Sequence, residues 1–130
     1  MTKGQVSFEF MVFIGIMFAL LGLASYAAIV SSSGIESENE VAEARKISYL
    51  LASEINIAAE TGPGYSRTFY LQPLFYNGLN YSVNLSEAGF VTVFWENKMY
   101  SLPMLARNVT GAVKKGTNTI KNENDVIAFD

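Results

Sequence analysis

The chain has neither cysteine nor histidine among its 130 residues. Without cysteine it forms no disulfide and offers no thiolate chemistry. Without histidine it lacks the commonest general base and the commonest metal ligand. Basic charge is also thin at the start: after Lys3 the next basic residue is Arg45. Nine Lys and Arg against twelve Asp and Glu leave a formal charge of −3. That balance argues against a nucleic-acid partner.

What the chain has instead is an apolar run. Residues 10–30 hold no charged side chain. At about 1.5 Å per residue those 21 residues cover about 30 Å as a helix, the thickness of a bilayer's hydrocarbon core. Lys3 precedes the run, and Glu36, Glu38, Glu40 and Glu43 follow it. The positive-inside rule then keeps the N-terminus in the cytoplasm and exports the rest. An exported small domain without disulfides must draw stability from a larger core, glycans or assembly.

A secretory signal peptide has a short apolar core followed by a small-x-small cleavage site, and this run is too long for such a core. The plausible small-residue processing point, Gly4, lies before it. Lys3, Gly4, Gln5, Ser7 and Glu9 together form a pattern: a basic residue, a glycine, then Gln-x-Ser-x-Glu. Residues 3–30 thereby resemble the prepilin-type (class III) signal peptides of archaeal type IV pilins. Archaellins share the leader logic but do not begin Gln-x-Ser-x-Glu, so the resemblance is to pilins. It implies cleavage after Gly4 by a prepilin peptidase, with Gln5 as the new N-terminus. It also implies a lollipop architecture and a homo-oligomeric helical filament. The further partners are an assembly ATPase and a membrane platform protein, and the usual role is adhesion.

Glu9 has two readings. In one it sits at headgroup level in the first turn, where the helix dipole favours it. In the other, which the resemblance implies, it leaves the lipid on assembly and pairs with the freed N-terminal amine of a neighbouring subunit. At the bilayer centre an acidic side chain costs roughly 2.5–3.5 kcal/mol. An unpaired charge in a dry filament core is similarly expensive, so the pairing selects axial register. An N-terminal glutamine can cyclise, and the ion pair then becomes an ordinary hydrogen bond. Gly15, Ala19 and Gly22 recur at four and three residues on one helix face. Small residues at that spacing either let helices approach closely or are scattered along a bare anchor.

Ser31-Ser32-Ser33-Gly34 interrupts the run and allows a kink. Ser33 and Glu36 fit a capping box, an alternative in which the helix restarts. Beyond it Val41, Ala44, Ile47, Leu51, Ile55 and Ala58 recur with helical period, an amphipathic stripe. Glu36, Glu38, Glu40, Glu43, Arg45, Lys46 and Glu54 fall on the other faces and read as solvated, with Glu43 and Lys46 an i, i+3 pair. Thr61-Gly62-Pro63-Gly64 ends the helix.

From residue 65 the period becomes two. Strands are expected over 67–75, 79–85, 90–95, 99–102, 118–121 and 126–129, with Pro73 marking an edge or bend. Asn77-Gly78 signals a hairpin, residues 122–125 a turn, and 90–95, apolar on both faces, a central strand covered twice. The aromatic side chains read as core, with some left for subunit contacts or a sticky tip. The expected fold is α+β: a long helix, apolar then amphipathic, packed against a small antiparallel β meander. The segments are a leader (1–4), a membrane or filament-core helix (5–30), an amphipathic continuation (31–61) and a β domain (65–130). A β domain of that size is marginal alone, and the stripe is its missing core layer.

Asn80, Asn84 and Asn108 begin Asn-x-Ser/Thr sequons, candidate N-glycosylation sites in an exported protein. Asn80 and Asn84 are expected on one polar face of a strand. No pattern for a catalytic residue, a cofactor or a metal is recognised. The function expected is a structural subunit of a pilus-like filament, spanning the cell membrane once before assembly and lying outside the cell after it. The alternatives are a minor or tip pilin, and a monomeric signal-anchored β-domain binding module.

Overall fold

The structure, a computed structural model, describes residues 2–130, with the surroundings of Gly4 and of every residue from Ser7 onward. Met1 and the side chains of Lys3 and Gln5 lie outside the described residues. The elements are α1 (Thr2–Thr61), β1 (Ser66–Leu71), β2 (Ser82–Ser86), β3 (Phe90–Trp95), β4 (Lys98–Pro103), β5 (Val109–Thr110), β6 (Gly116–Glu123) and β7 (Val126–Phe129). They divide into two compact units, Met1–Glu38 and Asn39–Asp130.

The first unit is helical throughout its described residues. Of the two alternatives at Ser31–Gly34, the helix does not restart at Ser33, because the serines turn back on their own helix. Ser32 Oγ donates to the Ala28 carbonyl and Ser33 Oγ to the Val30 carbonyl, each at 2.9 Å. This back-bonding keeps both hydroxyls satisfied in mid-helix and leaves no N-cap to form.

In the second unit the end of α1 lies against β-sheet, an α+β fold. Ala44, Ile47, Leu51, Ile55 and Ala58 are buried as their spacing predicts. Their helix ends at Gly62, whose φ of +87° suits a residue without Cβ. The N–H of Gly62 donates back to the Ala58 carbonyl at 3.3 Å.

The strands are not one meander. They form a four-stranded sheet, β1-β6-β7-β5, and a three-stranded sheet, β2-β3-β4. β5 runs parallel to β7; the other pairings are antiparallel. Asn77-Gly78 does not make a hairpin. Pro73 has no N–H to add to a ladder, β1 stops at Leu71, and its partner is β6, with Ser66 opposite Lys121 and Leu71 opposite Gly116. The chain between β1 and β2 is a closed loop. In it Phe75 N–H donates to the Leu79 carbonyl and Gly78 N–H to the Phe75 carbonyl, both at 2.9 Å. Burial fixes it there: the Phe75 ring stacks on Tyr81 at 5.1 Å and leans on Trp95 at 5.7 Å.

β3 is central but covered once, not twice. Val91, Val93 and Trp95 face the core, whereas Phe90 and Phe94 are 43% and 39% exposed. The expected turn over 122–125 is tighter than drawn. Asn122 and Glu123 extend β6, and Asn124 and Asp125 turn alone, at φ of 53° and 66°.

One buried cluster joins the helix to both sheets, with Phe69 and Phe129 edge-to-face at 6.2 Å. Gly111, which follows β5, marks where backbone meets backbone. Its φ is +85°, and a Cβ there would stand 2.5 Å from the Phe129 carbonyl oxygen. Gly111→Ala should therefore cost about 2–5 kcal/mol, from left-handed strain plus overpacking. Thermal melts of the two proteins should differ by about 10 °C or more.

Candidate functional site

The candidate assembly residues all lie on α1. Gly4, Ser7, Glu9, Gly15, Ala19 and Gly22 are exposed. The large side chains of the same stretch stand open on every face: Phe8 71%, Phe13 61%, Phe18 70%, Leu23 66% and Tyr26 68% exposed. This is a helix long and apolar enough to cross a membrane, and its most apolar window has none of its residues buried. A Cβ added at Gly15 or Gly22 meets nothing within 4 Å, so the small-residue face is open ground.

Helix geometry separates two features that the sequence lists together. At 100° per residue Gly15, Ala19 and Gly22 share an arc of about 60°, whereas Glu9 lies about 110° round from its centre. Position 5 is only about 40° from Glu9. The carboxylate and the small residues therefore lie on different faces of the helix.

Three carboxylates expected on a solvated face do otherwise. Glu40 Oε2 accepts from Trp95 Nε1 at 3.1 Å and from Lys98 Nζ at 2.7 Å. Glu43 Oε2 accepts from Gln72 Nε2 at 2.7 Å and from the Tyr76 N–H at 3.4 Å, instead of pairing with Lys46. Glu54 is 8% exposed, 3.3 Å from Arg67 Nη1 through Oε1, while its Oε2 is buried without a hydrogen-bond partner. The guanidinium of Arg45 lies over the Tyr100 ring at 5.7 Å. These groups tie the helix to both sheets.

Hydrogen bonds from Lys98 and then Trp95 hold the Glu40 carboxyl below its ordinary 4.5. A carboxyl lowered in the folded state adds stability above its unfolded pKa and loses it as pH falls through the folded value. The acid limb, below about pH 4.5, should therefore be shallower in Glu40→Gln than in the parent, read by thermal melts across pH. Tyr81 behaves oppositely. Burial raises its phenol to about 12, and the hydroxyl donates to the Gln72 carbonyl. At the chain end Lys121 pairs with Asp130, which raises the lysine and lowers the aspartate.

Two buried asparagines escaped the sequence reading. Asn122 Nδ2 donates to the Ala58 carbonyl at 2.8 Å, capping the last helical turn from a strand. Asn118 closes the Lys114–Gly116 loop, accepting from Lys114 N–H at 2.8 Å and donating to its carbonyl at 2.7 Å. Their only signal was an amide at alternate positions of a strand.

The three sequon asparagines are exposed. Asn84 lies within β2, but Asn80 precedes it, so the two do not share a strand. Asn80 Oδ1 accepts from Lys115 Nζ. The Asn108 carbonyl accepts from the Ile127 N–H at 2.9 Å. Open grooves of about 190, 260 and 320 Å³ cross the surface of the second unit, at or below the usual size of a small-molecule site. Among the described residues no three His, Cys, Asp or Glu side chains converge as a metal cluster would require.

No family model, curated protein or solved structure matches this chain.

Proposed function

We propose that the chain is a structural subunit of a pilus-like filament, processed after Gly4 and assembled through residues 5–30. One observation carries the proposal. The start of the chain is a membrane-length helix with large apolar side chains exposed on every face, and the leader pattern stands immediately before it. Such a surface needs lipid or many apolar neighbours. The two follow in succession: a single span in the cell membrane, then a bundle of sister helices with the β domains outside. Its partners on this reading are a prepilin peptidase, an assembly ATPase, a membrane platform protein and further copies of itself. Adhesion by the exported filament, and glycans on Asn80, Asn84 or Asn108, belong to the same proposal.

Shearing tests it. Cells that produce the chain should release it in filaments that pellet from the sheared supernatant. Recovery in the membrane fraction alone would favour the anchored binding module.

A further inference from the structure

The three-stranded sheet has two unlike faces. Val91, Val93 and Trp95 of β3 point to the core, so Phe90, Thr92 and Phe94 point away from it. Register carries this outer face onto both neighbouring strands. Asn84 of β2 stands opposite Thr92, and Thr92 opposite Ser101 of β4. The Thr92 and Ser101 hydroxyls share a hydrogen bond at 2.8 Å. Phe90 and Phe94 flank that polar row, both exposed, and Met99, opposite Phe94, is 68% exposed. The outward residues of the three strands, all of them described, include no charged side chain.

A face of phenyl rings, hydroxyls and an amide, without charge, offers nothing to an ionic partner. It suits a saccharide. The electron-rich face of an aromatic ring attracts the polarised C–H groups of a sugar, and amide and hydroxyl groups bond to its hydroxyls in both directions. The chain itself places a sugar there, because Asn84 begins the sequon that ends at Ser86. Diagonal neighbours in an antiparallel pair stand about 7–8 Å apart, and the diagonal neighbours of Asn84 are Phe90 and Phe94. A sugar on Asn84 therefore has a phenyl ring on either side and the two hydroxyls across the sheet. The other sequon asparagines differ. Asn80 precedes β2 and is engaged by Lys115, and Asn108 precedes β5 in the other sheet.

We propose that Asn84 carries an N-linked saccharide that lies along this face and covers Phe90, Phe94 and Met99 as an outer layer of the sheet. The proposal rests on export of the β domain, which the filament and the anchored module share. It singles out one of three sequons and gives its sugar a structural role. The step joins Nδ2 of Asn84 to C1 of a sugar carried on a lipid phosphate. The C1–O bond to phosphate breaks, the lipid phosphate leaves with the bonding pair, and one amide proton passes to a base of the transferase.

The chain is recovered from the cells that produce it, and fragment masses place any saccharide on Asn80, Asn84 or Asn108. Asn84 should be modified, in Ser86→Thr as in the parent, and unmodified in Ser86→Ala. In detergent, Asn84→Gln should melt several degrees below the parent and bind more of an apolar dye. In protein made without a transferase the two should melt together, which separates the sugar from the side chain. With Phe90→Ser and Phe94→Ser in place, Asn84 should remain modified and Asn84→Gln should shift the melt little. An equal shift with and without the phenylalanines would overturn the packing. A membrane-impermeant amine reagent on intact cells reads export independently through the lysines of the β domain. An unmodified Asn84 in a labelled chain would overturn the saccharide and leave export standing. An unlabelled β domain would overturn export, and the filament and saccharide readings with it.

Discussion

A Glu9→Ala chain should insert into membranes as the parent does and yield no filaments. Insertion depends on the uncharged run, and removing a carboxylate from its edge makes entry easier. Assembly depends on what replaces water and headgroups around that edge. If Glu9 meets the N-terminal amine of a neighbour, the substitution leaves that amine buried and unpaired, a loss of about 3–5 kcal/mol per subunit. At 1.4 kcal/mol per factor of ten this raises the concentration needed for assembly by about 10² to 10⁴. Glu9→Gln should recover part of the loss, since an amide still accepts a hydrogen bond. If Gln5 cyclises, parent and Gln variant should converge, and an intact mass one ammonia lighter would show the reason. Unchanged filament yield in Glu9→Ala would refute the pairing. The geometry adds that Gly15→Leu, on a face about 120° away, should impair helix packing without touching the charge pair.

Trp95→Ala should remove a large part of the β domain's stability, about 3–5 kcal/mol of the 5–15 kcal/mol that a small domain possesses. The ring is 2% exposed and touches Phe75, and its Nε1 donates to Glu40. Its loss opens a cavity where the helix, β3 and the β1–β2 loop meet. Trp95→Phe separates the two contributions: it keeps a ring and drops the donor, and should cost nearer 1–2 kcal/mol. Denaturant titration followed by far-ultraviolet circular dichroism measures both. Equal costs for the two variants would show that the hydrogen bond, not the packing, holds this corner. The apolar helix of residues 7–38 should remain helical in both variants, since its hydrogen bonds are internal to it.

Periodicity made the local elements legible. The stripe from Ala44 to Ala58, the cores of β3 and β7, and the stop at Gly62 all stood in the sequence because each is specified within a few residues. The pairing of β1 with β6 did not, because its partners are about fifty residues apart and share no turn. Asn77-Gly78 misled for a related reason: a turn signal says that the chain reverses, not that it pairs. Glu40, Glu43 and Glu54 leave the solvated face expected of them because the buried face is wider than a single stripe. Two sheets cover the helix, and the contacted positions from Glu43 round to Ala52 span about 180°, wider than the ~100° of an ordinary amphipathic stripe. A signal was present. Glu40 stands four residues before Ala44 and seven before Ile47, so the stripe extended backwards passes through it. The apolar helix was legible too, since an uncharged run of membrane length needs no tertiary context.

The most direct measurement is the N-terminal sequence and intact mass of the chain recovered from membranes and from sheared filaments. A pilin processed after Gly4 begins at Gln5, free or cyclised, in both fractions. A chain that retains Met1, Thr2, Lys3 and Gly4 would contradict the filament-subunit reading.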